Sequence, residues 1–245
     1  MSNQAGFTAR ATAFHPRSTS TWAIAALSSF FILIIGSSLV LGHEAEGIRP
    51  LLTSGLNGLR QALPNDTRHL TDAASIENFL KLVDSTPPEW VSVYGNGRHD
   101  ERLFALNRER DRLREGRTEA AELVTFLWDG ELSDYDPSLG GFRLAIGPQI
   151  ITTSWGLVRF KPESLPSHLV AVPSPEMRNA LQSDAAGGRK VEMIIDMTGR
   201  LVPEESIIYD FAHGEPGRGM VMPVIRIERL DYLLLEERTR ASDGH

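Results

Sequence analysis

The feature that most constrains this chain is a gap in its charge. No Asp, Glu, Lys or Arg occurs between Arg17 and Glu44, and Trp22–Gly42 is a run of 21 uncharged, mostly apolar residues. A helix of that length spans roughly 30 Å, the thickness of a bilayer's hydrocarbon core. Trp22 stands at one end, where an interfacial aromatic is favoured. Gly36 and Ser37 offer a small-residue face on which a second membrane helix can pack closely. A cleaved signal peptide is the rival reading, with Val40-Leu41-Gly42 as a small-residue cleavage site. Its apolar region would normally be about 7–15 residues, and this run is longer and preceded by a polar tail. We therefore expect a retained single transmembrane helix over residues 21–43.

The segment before it, residues 1–20, is rich in Ser, Thr and Ala, has no apolar period and reads as a flexible tail. It carries Arg10 and Arg17 and no acid, whereas Glu44 and Glu46 precede Arg49 on the far side. The positive-inside rule then places the N-terminus in the cytoplasm and the remaining residues outside it. A bacterial inner membrane with a periplasmic main domain fits this layout, although a basic, acid-free, Ser-rich start also suits an organellar transit peptide.

Residues 44–120 read as helical. Leu52, Leu56, Leu59 and Leu63 fall at helical spacing before the break at Pro64-Asn65-Asp66. Ile76, Phe79, Leu80 and Val83 repeat the period behind Asp72, a suitable N-cap, until Pro87-Pro88. Trp90–Tyr94 alternates and reads as a short extended piece closed by Gly95-Asn96-Gly97. Arg98–Glu119 then carries seven arginines and six acids, the pattern of a solvated helix laced with i,i+4 ion pairs.

From residue 121 to 237 the period changes to two. Phe142, Leu144 and Ile146 alternate with polar or small residues, as do Val158 with Phe160 and Val191, Met193, Ile195 with Met197. Ile225 and Ile227 share one face, after which Leu230 and Tyr232 slip phase by one residue, the mark of a β-bulge in a curling sheet. Val124–Trp128 is apolar on both faces and should be central. One helix interrupts the strands, with Ser174 as N-cap, Pro175 at the first helical position and Gly187-Gly188 at its end. That order suits an antiparallel, OB-like β-barrel, or else an irregular β-sandwich. One interior should hold Phe142, Ile146, Val158, Phe160, Met193, Ile195, Ile225 and Ile227. Residues 238–245 form a C-terminal tail.

The chemistry-bearing patterns are sparse. The chain has no cysteine, which removes disulfides, thiolate metal sites and cysteine nucleophiles. There is no G-x-S-x-G, no S-x-x-K and no paired-histidine zinc motif. A net charge of −7 argues against a nucleic-acid partner. Two weaker constellations remain. Asp210, His213 and Glu215 share one short segment, which would serve a membrane-anchored hydrolase. Met177, Met193, Met197, Met220 and Met222 cluster in sequence, which would serve a periplasmic metal- or small-ligand-handling module. Methionine also fills irregular cores, and no cofactor is expected. An anchor followed by a small barrel is similar in layout to the membrane-tethered periplasmic haem chaperones of cytochrome c maturation. Their haem-binding histidine motif near the chain's end has no counterpart, because only His245 lies beyond His213.

The leading expectation is therefore a non-catalytic, single-pass accessory or assembly subunit of an integral membrane protein complex. Its partner contacts are expected at Arg108, Arg110, Arg112, Arg114 and Arg117. Arg supplies 22 of the 25 basic residues, and its planar fork is enriched at interfaces.

Overall fold

Alternation of apolar and polar residues along the longest strands builds the wall of a barrel. In the computed structural model, which describes residues 47–235 apart from 56, 57, 96 and 216, the strands before the central helix are β1 (Ile48–Ser54), β2 (Arg68–Leu70), β3 (Val124–Asp136), β4 (Gly141–Ile146), β5 (Ile150–Thr153), β6 (Gly156–Arg159), β7 (Lys161–Pro162) and β8 (Val170–Val172). After it come β9 (Glu192–Leu201), β10 (Ile207–Phe211) and β11 (Gly219–Leu235). The helices are α1 (Leu59–Ala62), α2 (Ala73–Asp84), α3 (Trp90–Tyr94), α4 (His99–Arg114) and α5 (Pro175–Ala186), with a 3₁₀ turn at Thr118–Ala121. The tail over 1–20, the span over 21–43 with Gly36 and Ser37, and the tail over 238–245 lie outside the described residues. Among the described residues, no helix is long and apolar enough to cross a membrane.

Six strands close the barrel in the order β1-β8-β4-β3-β9-β11, and β1 returns to β11. The ring differs from the expected antiparallel barrel in one respect. Both pairings of β1, to β8 and to β11, are parallel, while the other four are antiparallel. Registers stack the interior in layers: Leu51, Tyr232, Ile195 and Trp128 lie side by side, and Leu230, Met197 and Phe126 form the next layer. Phe126 stacks on Phe160 with ring centres 4.7 Å apart. The Tyr232 hydroxyl donates to the Gly47 carbonyl (2.9 Å), tying the start of β1 to the wall.

The phase slip at the end of the chain is real. The β9–β11 register shifts between Ile227 and Arg229. The start of β11, Gly219–Pro223, belongs to a second small sheet with β10, β6 and β5, and from Ile225 onward the strand pairs with β9 in the barrel, on both sides of the shift. The expected interior set is otherwise largely present, but Ile146 is corrected. It is 37% exposed, because it is the last residue of β4 and sits beyond the filled part of the barrel. Ile227 is only half-buried beside the bulge.

Two local expectations fail for tertiary reasons. The leucine stripe at 52–63 predicts a helix, yet Leu52 lies on β1 and only a single turn, α1, follows. Closing the ring between β8 and β11 outweighs helical spacing. Trp90–Tyr94 alternates, yet forms α3, since Trp90, Val93 and Tyr94 also satisfy i, i+3, i+4. This helix is fastened to the small sheet: Trp90 Nε1 donates to the Trp155 carbonyl (2.7 Å) and the Tyr94 hydroxyl to the Arg218 carbonyl (2.5 Å).

The Trp90 indole lies directly on Gly219, where an added Cβ would stand inside the ring. Gly219→Ala should therefore force α3 off the sheet at about 1–3 kcal/mol, the usual range for overpacking. Thermal denaturation checks this; an unchanged midpoint would show that the indole shifts freely. Within α2, Asp72 caps as expected, accepting from the Ser75 amide (2.8 Å), and Ile76, Phe79, Leu80 and Val83 are buried. Ser174 caps α5 by accepting from the Met177 amide (3.4 Å).

Candidate functional site

Helix α4 has two faces, and only one of them is the solvated surface that its charge pattern suggests. The inner face carries Arg110 and Arg114, which are its buried residues. Arg114 reaches the last residue of α2: its Nη1 donates to both Asp84 carboxylate oxygens, at 2.9 and 2.7 Å. Its Nη2 donates to the Ile207 carbonyl on β10 (3.0 Å) and to Asp111. Arg110 Nη1 donates to the Asp84 backbone carbonyl (2.7 Å), and its guanidinium lies 5.8 Å from the centre of the Tyr209 ring. The Tyr209 hydroxyl donates to Asp84 in turn.

Asn107 completes the inner face with a reciprocal pair to the backbone of Tyr209. Its Nδ2 donates to the Tyr209 carbonyl and its Oδ1 accepts the Tyr209 amide, both at 2.8 Å. Side chains here take the place of a ladder, fastening a helix to β10. Burial, together with the adjacent Asp84 carboxylate, pushes the Tyr209 phenol well above its ordinary value. It stays a neutral hydrogen-bond donor and is no phenolate nucleophile. The cluster is buried and holds α2, α4 and β10 together, with only the Arg114 Nε left without a partner among the described residues of the cluster.

Expectations for the five arginines divide accordingly. Arg110 and Arg114 are corrected: both are buried inside the molecule, with partners on α2 and β10, and cannot meet another protein. Arg117 sits past the helix end and donates to the Leu82 carbonyl (3.0 Å) and the Ser85 hydroxyl (3.2 Å). It serves as a cation at the C-terminus of α2, where the unpaired carbonyls concentrate negative charge. Arg108 and Arg112 remain exposed on the outer face.

That outer face also carries an exposed aromatic, Phe104 (64% exposed), while Leu113 (51%) is exposed half a turn around the helix from it. The Arg108 guanidinium lies 5.7 Å from the Phe104 ring centre, in cation–π range. Aromatic and guanidinium groups side by side on a surface are the composition of an interface core. Sequence reasoning singled out the arginines and missed Phe104. Its signal was a lone aromatic at i−4 from Arg108, about a third of a turn around α4 from Arg110.

The other constellations disperse. Asp210 accepts its neighbour's amide (Phe211, 2.7 Å), Glu215 pairs with Arg218 (2.6 Å), and His213 is exposed in the β10–β11 turn. Met193 and Met197 are buried in the barrel, whereas Met220 and Met222 pair with β10 in the small sheet and Met177 is on α5. Among the described residues, no group of three or more His, Asp or Glu could hold a metal ion.

One further group is anomalous. Asp196, on β9, is buried, its Oδ1 accepts the Thr198 hydroxyl (3.3 Å), and its Oδ2 has no partner among the described residues. It lies directly across the strand pair from Asp231. Burial, then the Asp231 charge, raises its carboxyl to about 6. Thr198 continues into a hydroxyl chain with Thr125 and Thr67, each step 2.7 Å.

Comparison with models of protein families, with curated proteins and with solved structures found no match to this chain.

Proposed function

We propose that this chain is a non-catalytic, single-pass membrane subunit that assists or assembles a larger integral membrane protein complex. Residues 21–43 anchor it in a bacterial inner membrane, with the N-terminus cytoplasmic and an OB-like barrel domain in the periplasm. The outer face of α4 docks on the partner. The observation that carries the reading is the contrast between the two faces of α4. Arg110 and Arg114 are consumed internally, while Phe104, Arg108 and Arg112 stand together in solvent. The uncharged 21-residue run at Trp22–Gly42 supports the anchor. The partner this face fits is a mixed-charge, partly apolar surface, since the guanidinium forks of Arg108 and Arg112 pair with carboxylates, the exposed Glu109 and Glu115 beside them with cations, and Phe104 needs an apolar recess.

The test is a triple variant, Phe104→Ala with Arg108→Glu and Arg112→Glu. Losing an interface anchor typically costs about 2 kcal/mol, so co-purification after mild detergent extraction should fall at least tenfold. Its melting temperature should match the wild type, because none of the three groups is buried. Retention of the partner by the variant would place the contact elsewhere. In parallel, alkaline carbonate should leave the protein in the membrane pellet; release of a shortened form starting near His43 would overturn the anchor.

A further inference from the structure

Where the end of α4, the 3₁₀ turn, the chain after β9 and the wall of β11 converge, they enclose a cavity of about 310 Å³. Its lining is apolar at the floor, with Leu201 and Val202 buried and Ala121 at the rim. Its charged groups are four arginines against two glutamates, in a chain whose net charge is −7. Arg200 on β9 and Arg226 on β11, both in that lining, are direct cross-strand neighbours. Like charges placed opposite each other on a sheet repel, and here each arginine is offset by a glutamate of its own rather than by a shared anion.

Those partners engage only some of the donors. Arg200 donates from Nε to Glu228 (3.0 Å) and from Nη1 to the Ala121 carbonyl (2.5 Å). Arg226 donates from Nε and Nη2 to Glu163, at 2.7 and 3.1 Å. Each guanidinium has five N–H donors, so Nη2 of Arg200 and Nη1 of Arg226 keep donors that no bond among the described residues uses. We propose that this cavity binds a small organic carboxylate, its anionic head bridging Arg200 and Arg226 and its compact apolar body resting on Val202 and Ala120. The volume is at the lower end of ligand sites, which span roughly 300–1,000 Å³, so the body is no larger than a single ring or short chain. A bound carboxylate would also stabilise the fold by mass action. This site is independent of the α4 outer face.

The test titrates the full chain in detergent with benzoate and with cyclohexanecarboxylate, following heat release and melting temperature. Benzyl alcohol is the neutral control, and inorganic phosphate is the anion with no apolar body. Saturable carboxylate binding is expected, at least tenfold tighter than benzyl alcohol or phosphate. Arg200→Gln should weaken it at least tenfold with an unchanged fold, and Ala121→Trp should block the rim. The proposal is overturned if neither carboxylate binds saturably, if benzyl alcohol or phosphate binds equally well, or if Arg200→Gln binds like the wild type. Should Ala121→Trp fail to fold, the Arg200→Gln comparison alone decides.

Discussion

Arg114→Ala should destabilise the protein by about 3–5 kcal/mol, enough to unfold a domain of ordinary stability. The Arg114 and Asp84 side chains are 3% and 0% exposed, so removing the cation strands a carboxylate in a water-free site. The same substitution deletes the bridge from α4 to the Ile207 carbonyl, and the helix loses part of its attachment to β10. Lysine should rescue poorly. One ammonium cannot reproduce a planar fork that meets Asp84, Asp111 and a backbone carbonyl together. A double variant, Arg114→Met with Asp84→Asn, should recover most of the loss, because burying two neutral groups costs far less than burying one unpaired charge. Denaturant titration followed by tryptophan fluorescence reads all three. Equal effects of Arg114→Ala and of the exposed Arg112→Ala would contradict the clamp.

Asp196→Asn should act in the opposite direction and stabilise the protein by ~3 kcal/mol at pH 7. The buried carboxyl holds its proton up to about pH 6, against an ordinary value of 3.8. Between those values the native state binds a proton that the unfolded chain has released. Asp196 therefore contributes a loss of stability that grows as pH rises from about 4 to 6 and is complete above 6. The distance from 3.8 to about 6 on the pH scale corresponds to about 3 kcal/mol. Asparagine keeps the shape without the charge, and its amide can donate to the neighbouring Asp231. The difference in stability between variant and wild type should be near zero at pH 4 and fully developed at pH 7. A pH-independent difference would mean that Asp196 is not the titrating group.

How much of the fold was legible in advance follows from how local each cause is. The α2 cap at Asp72, the α5 start at Ser174-Pro175 and the bulge after Ile227 rest on neighbours a few residues away, and each is where the chain places it. Strand β1 and helix α3 were misread because their decisive partners are distant: β1 is held by β8 and β11, and α3 by Trp155 and Arg218. The candidate site shows the same limit more sharply. A stretch with seven arginines looks the same whether its inward face meets water or a buried carboxylate. Only the fold brings Asp84 to Arg114, 30 residues away, and to Tyr209, 125 residues away. Arg108 and Arg112 are left in solvent on the opposite face.

Whether this chain works as one subunit of an integral membrane assembly is tested most directly by blue-native electrophoresis of gently solubilised membranes, followed by mass spectrometry of the band. The protein should run well above its own 27.1 kDa in stoichiometric company with at least one multi-span membrane protein, and the Phe104→Ala/Arg108→Glu/Arg112→Glu variant should drop out of that band. Migration of the wild-type protein alone, with no integral membrane partner in the band, would contradict it.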